Sequence, residues 1–239
     1  MQPKNKKKIN RNKLGCLIFA RSNSRRLPRK TMYKINNIPI IQIIYMRACK
    51  VFPEENIVVA TSKNSTDNKL ANFCKSRKIK CFRGSLENVY DRALQCCKKY
   101  KFSSFVRICG DSPFFDYHLA KKMISNFQLN NSDIVTNKFP KTYPVGHSCE
   151  IIKLTAFKKI KKNKMFRGDQ EHIFNYFYRN SEDFKIKNFF SGKTNKFKNV
   201  HLAIDYKEDF LKINSIFKKS NFNYLISSNY AIKIAESLK

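Results

Sequence analysis

Residues 20–30 read ARSNSRRLPRK, four arginines and a lysine in eleven positions with no acid among them. They follow LGCLIFA (14–20), an apolar run of the kind that forms a buried strand. Arg21, Arg25, Arg26, Arg29 and Lys30 have no carboxylates close by in sequence, so the economical partner for the loop is a polyanion. A guanidinium grips two phosphate oxygens at once, and an ammonium serves as a compact point charge. Pro28 stiffens the loop, and Asn23 suits a left-handed turn. The competing reading is a solvated basic loop. Neither G-x-x-x-x-G-K-[ST] nor G-x-G-x-x-G is present, so the common glycine-rich phosphate cradles are excluded.

The elements that must position this loop alternate. Apolar strand-like runs at 14–20, 56–62, 79–84 and 103–110 are separated by helical patterns at 39–52, 66–77 and 86–100, with a fourth at 116–128. Asp116 has the place of a helix N-cap. The rhythm predicts right-handed βαβ units and a parallel sheet, and runs without alternation suit strands covered on both faces. Beyond residue 130 the rhythm loosens. Strands are predicted at 132–137, 148–154, 184–190 and 200–205, and helices at 169–180 and 207–219. The expectation is one α/β domain over 13–239, preceded by a basic flexible tail at 1–12. In open sheets of this kind ligands lie at the carboxyl ends of the strands, where the basic loop also lies. Asp111 and Asp205 each follow an apolar strand-like run, where two acids can converge on one cation.

The chain has 239 residues, enough for a full core, and 42% hydrophobic content with 21 Phe and 11 Tyr argues for a packed globule. Its 49 basic and 17 acidic residues give a net charge of +32. A basic face can hold nucleic acid or anionic lipid, but the lysines are spread along the whole chain, as biased composition would leave them. The eight cysteines contain no C-x-x-C pair and no zinc-type spacing, and their apolar settings predict buried, reduced thiols in a cytosolic protein. The apolar segment after the basic N-terminus is far below a membrane span and lacks a leader's cleavage site.

The order of residues also carries a resemblance. ARSNSRRLPRK resembles the R-x-G-S-x-R-L-P-x-K signature of sugar cytidylyltransferases, a group that includes the acylneuraminate and 3-deoxy-manno-octulosonate enzymes. VVATS followed by Asp67 looks like the second strand and its polar loop. FRGSLENVYDR resembles F-x-G-S-x-x-x-V-x-x-R, and VRICGDSPFFD resembles R-I-x-G-D-x-P-x-x-D. TYPVGHSCEII, DQEHI and AIDYKEDF resemble Y-P-x-G-x-x-x-E, D-x-E-H-[VI] and V-D-x-x-E-D-[LF]. The last four segments point to the branch of spore coat polysaccharide biosynthesis protein F. The resemblance spans roughly residues 14–215.

What the resemblance implies is a Rossmann-like nucleotide-diphospho-sugar transferase fold, with a mixed, mostly parallel sheet and helices on both faces. It implies an enzyme that joins CMP from CTP to a sugar or sugar acid with release of pyrophosphate, for surface polysaccharide or glycan synthesis. Mg²⁺ is the expected cofactor, because the chemistry rests on positioning and on neutralising a triphosphate. Arg21, Arg26 and Lys30 take the triphosphate positions, with Arg21, Lys30 and Asp111 catalytic, and Asp111 and Asp205 take the metal. Ser24, Gly84, Ser85 and Arg107 are further nucleotide-binding candidates, although Gly84 and Ser85 also suit an ordinary capped turn. Arg25 and Arg29 fall where the signature is variable or carries glycine, and Asn23 stands at its glycine.

For the acceptor the resemblance points to Tyr143, Gly146, Glu150, Glu171 and His172. Glu150 lies in an apolar run, where an unpaired acid is expensive. It either binds sugar hydroxyls or pairs with a base such as Arg167. Arg107 either meets phosphate or pairs with a buried acid, and His172 is either a structural histidine or a substrate contact. Asp205 has the alternative of capping the helix that follows it. No nucleic-acid partner and no membrane span are expected, and exposed strands around 132–154 offer a surface for a homodimer. Two rivals differ in class. A glycosyltransferase shares the fold but has less use for a loop this basic, and no D-x-D follows the relevant strand. A nucleic-acid-binding protein would leave the two strand-end carboxylates without a purpose.

Overall fold

The computed structural model describes residues 14–161, 165–170, 172–192 and 200–238. The basic stretch 1–12 and Glu171 lie outside the described residues. Seven strands form one sheet in the order β5 (Cys81–Gly84), β4 (Ile57–Ser62), β1 (Leu14–Phe19), β6 (Ser104–Cys109), β8 (Glu150–Lys153), β7 (Ile134–Thr136), β9 (Ile186–Asn188). Every pairing is parallel except the two made by β8, which runs against β6 and β7. A small antiparallel hairpin, β2 (Lys34–Ile35) and β3 (Ile38–Pro39), precedes the first helix.

Both sheet faces are covered, which is why the strands are apolar without alternation. Cys16, Ile18, Val59, Val106 and Ile108 face one core, with α1 (Ile40–Ala48), α2 (Asn68–Ser76), α4 (Tyr117–Leu129), α7 (Lys207–Lys219) and α8 (Ser228–Glu236). Leu17, Val58, Phe105 and Ile152 face the other, with α3 (Val89–Tyr100), α5 (Leu154–Phe157) and α6 (Phe174–Arg179). The chain steps outward from β1 to β4 to β5 through α1 and α2, then α3 returns across the opposite face to β6. Strand order therefore reverses between β1 and β6, and a crevice opens at their carboxyl ends.

Arg47 of α1 ties the C-terminal part to the sheet. Its guanidinium is fully buried, donates to the carbonyls of Phe115, Tyr224 and Ile226, and lies over the Tyr117 ring at 5.0 Å. Burial lowers its pKa to about 10, against the pull of Asp116. Asp116 caps α4 as its sequence position predicts, accepting from the His118 and Leu119 amides at 3.0 Å each. Asp116→Ala should cost about 1 kcal/mol, read as a lower urea midpoint at unchanged slope.

Three expectations need correction. Residues 200–205 do not form a strand. They make an isolated bridge from His201 to Val145 and one backbone bond from Ile204 N to Asp111 O, because loops rather than a strand edge lie beside them. The left-handed residue of the basic loop is Arg29 (φ 60°), not Asn23. The helix at 228–236 and the hairpin are additional to the predicted elements. All eight cysteines are free thiols. Among the described residues no helix is long and apolar enough to cross a membrane.

Buried His147 gives the fold a pH dependence. Burial, with repulsion from Arg47 and against the pull of Asp116, brings its pKa to about 4. A histidine that titrates near 6.5 when unfolded and near 4 when folded is protonated only in the unfolded chain between those values. Stability from this residue is complete above pH 6.5 and is lost as the pH falls toward 4, by about 3 kcal/mol in all. The urea midpoint should fall over that window, and His147→Gln should flatten that part of the profile.

Candidate active site

The crevice is built by the loop that leaves β1, the turn that leaves β6 and the segment that precedes α7. The basic loop is closed by a bond from Arg29 N to Ser22 O at 2.8 Å, and a short 3₁₀ turn at Lys30–Met32 follows. Arg29 turns the chain into it in the left-handed conformation. A β-carbon costs about 1–2 kcal/mol there. Ser22 is fixed from the neighbouring strand's loop. Asp67, fully buried, accepts from the Ser22 amide at 2.6 Å and from the Ser62 amide at 3.0 Å. Burial would push its carboxyl up, but the Ser62 and Ser22 bonds hold it below the usual range.

Lys30 lies at the centre of the site. Its side chain is only 10% exposed, and Nζ donates to Asp111 Oδ2 at 2.8 Å, to the Ile204 carbonyl at 2.6 Å and to Asp205 Oδ1 at 3.2 Å. Arg26 Nη2 donates to the same Asp205 oxygen at 2.6 Å. Arg26 also lies over the Tyr206 ring at 5.3 Å. Asp111 comes to this point because Gly110 N bonds to Phe19 O at 2.8 Å, holding the end of β6 against the end of β1. A β-carbon at Gly110 would meet the Phe19 carbonyl at 2.8 Å, so no larger residue fits between the two strand ends. Asp205 arrives from across the sheet, fixed by the bond from its amide to Asp209 Oδ2 at 2.9 Å.

Around this cluster runs a cleft lined by Arg21, Ser24, Arg26, Lys30, Asp111, Arg107 and His172, seven of the residues expected from the sequence. Arg92 also lines it, a residue that is not among those expected from the sequence. It is the last residue of FRGSLENVYDR, so the motif carried the signal. Its side chain is buried, its Nη1 donates to the Ser85 carbonyl at 2.9 Å, and its Nε has no partner. Among the described residues no carboxylate forms an ion pair with it. Burial, with repulsion from Arg21, brings its pKa to about 10, so it stays cationic at neutral pH. The cleft thus contains a desolvated positive charge in need of an anion.

Gly84 and Ser85 do not line this cleft. Ser85 Oγ accepts from the Asn88 amide at 3.0 Å and caps the turn into α3, the ordinary reading of that motif. A β-carbon at Gly84 would meet the Arg92 side chain at 2.8 Å, so Gly84 leaves room for Arg92.

On the acceptor side the structure separates the expected residues. Glu150 is fully buried, is ion-paired with Arg107 and accepts from Tyr178 Oη at 2.6 Å, so of the two alternatives it takes the pairing with a base, and that base is Arg107. Burial would raise its pKa, but Arg107, Lys138 and Tyr178 together hold it below the usual range. Arg107 is therefore held at the cleft by an acid behind it. Gly146, at φ 99°, also lies off the cleft; a β-carbon there would meet the Leu202 carbonyl group at 2.6 Å. Its work is to let residues 200–204 pass close by. Tyr143 donates to the Phe190 carbonyl at 3.3 Å and is not among the lining residues either. Of the four acceptor-side residues that the structure describes, only His172 lines the cleft; Glu171 falls outside the described residues.

Asp111 and Asp205 offer a hard divalent cation two oxygen donors beside a strongly basic loop. Their side chains are 29% and 21% exposed; Asp111 lines the cleft, and Asp205 stands behind it, bonded to the cleft residues Lys30 and Arg26. The residues present fit such an ion. Among the described residues no group of three or more His, Cys, Asp and Glu forms a self-sufficient metal site, which suits an ion that completes its shell with phosphate and water.

The sequence matches the cytidylyltransferase family over residues 15–235. It is 32% identical over 198 residues to an uncharacterized protein of Methanocaldococcus jannaschii, covering 83% of this chain and 80% of that one. It is 26% identical over 228 residues to a spore coat polysaccharide biosynthesis protein of Bacillus subtilis, covering 93% and 94%. The fold superposes on a cytidylyltransferase from Leptospira borgpetersenii with a TM-score of 0.87, at 29% identity and 95% and 94% coverage. A Rossmann-like sheet with a cation cluster at its strand reversal, matched along nearly its whole length, places this chain in the cytidylyltransferase family of nucleotidyltransferases.

Proposed function

We propose that the protein transfers CMP from CTP to a hydroxyl of a sugar or sugar acid, with release of pyrophosphate. The observation that supports this reading best is the convergence of Lys30, Asp111 and Asp205 at the strand reversal, with Arg21, Arg26 and Arg92 around them. Attack on the α-phosphorus brings negative charge toward negative charge. Catalysis is then mainly placement and charge neutralisation. Arg21 and Arg92 grip phosphate oxygens, and Lys30, fixed by three oxygens and largely removed from water, supplies a preorganised ammonium. Mg²⁺, held by Asp111 and Asp205, would neutralise phosphate charge when bound. His172 and the Glu150-backed Arg107 face the remaining wall, where they can orient the acceptor hydroxyls. The description of the Bacillus subtilis relative as a spore coat polysaccharide biosynthesis protein supports a product used for surface polysaccharide or glycan.

The test is pyrophosphate release from each of the four nucleoside triphosphates, with Mg²⁺ and a panel of sugars, aminosugars and sugar acids. Release with CTP that needs an acceptor, and that Asp111→Ala reduces at least a hundredfold, is the expected result. Turnover of UTP or ATP in preference to CTP would overturn the nucleotide assignment. Pyrophosphate release that no acceptor changes would overturn the sugar assignment.

A further inference from the structure

Two cations and two acids of the cleft are paired with each other. Asp205 Oδ1 accepts from Arg26 at 2.6 Å and from Lys30 at 3.2 Å, and Asp111 Oδ2 accepts from Lys30 at 2.8 Å. The four charges cancel. These groups are also the ones assigned to triphosphate and to divalent cation. Asp205 Oδ1, the oxygen shared with Lys30 and so nearest Asp111, cannot fully serve a guanidinium, an ammonium and a metal ion together, while Oδ2 lies 3.8 Å from His201 Nε2.

Mobility divides the two cations. Lys30 is 10% exposed and anchored to the Ile204 carbonyl at 2.6 Å, so it has little room to move. The Arg26 side chain is 53% exposed and rests on the exposed Tyr206 ring, with Asp205 as its charged partner. It can swing away at the cost of a partly exposed ion pair, worth at most about a fivefold change in an equilibrium constant.

Resting on the reading above, we propose that Arg26 is a clasp. It holds Asp205 against a divalent cation and gives it up when phosphate takes the guanidinium. A divalent ion arriving alone must displace Arg26, and a triphosphate arriving alone meets two acids that still carry their charge. When both arrive, Arg26 exchanges carboxylate for phosphate and Asp205 exchanges arginine for metal. Each ligand then strengthens the other by the same factor, as linkage requires. The device makes empty-handed loading of either ligand unfavourable and favours the pair.

The test reads the cation without nucleotide. Mn²⁺ is titrated into the protein, and binding is followed by loss of the free-ion paramagnetic resonance signal. Arg26→Gln should bind Mn²⁺ about two- to fivefold more tightly than the wild type. Arg25→Gln removes the same charge from an exposed site on the same loop and should leave Mn²⁺ binding unchanged. Equal Mn²⁺ binding by Arg26→Gln and wild type, weaker binding by Arg26→Gln, or no Mn²⁺ binding by any of the three overturns the clasp. Equal tightening by both variants also overturns it, because the effect is then one of general field. CTP binding is measured by calorimetry on the same wild-type protein. If CTP fails to bind while the Mn²⁺ difference persists, the nucleotide assignment fails and the competition at Asp205 stands.

Discussion

Lys30→Met should lower kcat/KM for pyrophosphate release by about a thousandfold, an effect of roughly 4 kcal/mol on the transition state. Among the described residues Lys30 is the one side chain that touches Asp111, Asp205 and the Ile204 carbonyl together, so it sets the spacing of two acids and also faces the cleft. Methionine keeps the length of the stem and removes the charge. The two carboxylates are left facing each other, each about a quarter exposed, and water can solvate them. The fold should therefore survive, with secondary structure by circular dichroism unchanged. Wild-type turnover by a folded Lys30→Met protein would remove the lysine from the mechanism.

Glu150→Ala should act on stability instead, and by a large amount. The acid is fully buried and forms an ion pair with Arg107 and a hydrogen bond with Tyr178, whose hydroxyl also meets Thr136 Oγ1 at 2.8 Å. Removing it leaves a largely buried guanidinium without its counter-charge and a partly buried phenol short of an acceptor. Breaking one side of such a pair costs about 3–5 kcal/mol. The double variant Arg107→Met, Glu150→Leu should recover most of that loss, since it removes both charges at once. Chemical unfolding of the three proteins settles the matter: a Glu150→Ala midpoint equal to wild type would mean that the pair is replaceable by water. The recovered double variant should still turn over poorly, because Arg107 no longer reaches the cleft.

How much of this was legible in the sequence differs by region. Strands β1, β4, β5 and β6 and helices α1 to α4 were, because each of those strands lies in an apolar run and each helix has its own period. The meeting of loop 20–30 with Asp111 was legible too, since parallel strands send their carboxyl ends to one edge. The partner of Glu150 was not. It follows from β8 running against β6, which sets Arg107 opposite Glu150, and no local pattern states that register. The segment 200–205 has strand-like residues, yet it is bound by loop backbone at Val145 and Asp111. Arg29 shows the limit of propensity. A residue poorly suited to φ 60° occupies that turn because the bond from its amide to Ser22 and the pinning of Ser22 by Asp67 leave no other path.

The contact between Lys30 and Asp205 spans 175 positions of the chain, and that between Tyr224 and Ile35 spans 189. Contacts this distant close late, because the entropy of joining their ends must be overcome before any contact rewards it. During synthesis the strands β5, β4, β1 and β6 are available to pair before residue 130 emerges. The second acid of the cluster, at position 205 of 239, emerges only after some six-sevenths of the chain. A shortened product that ends before residue 205 would thus display the basic loop and Asp111 without the counter-charge for Arg26.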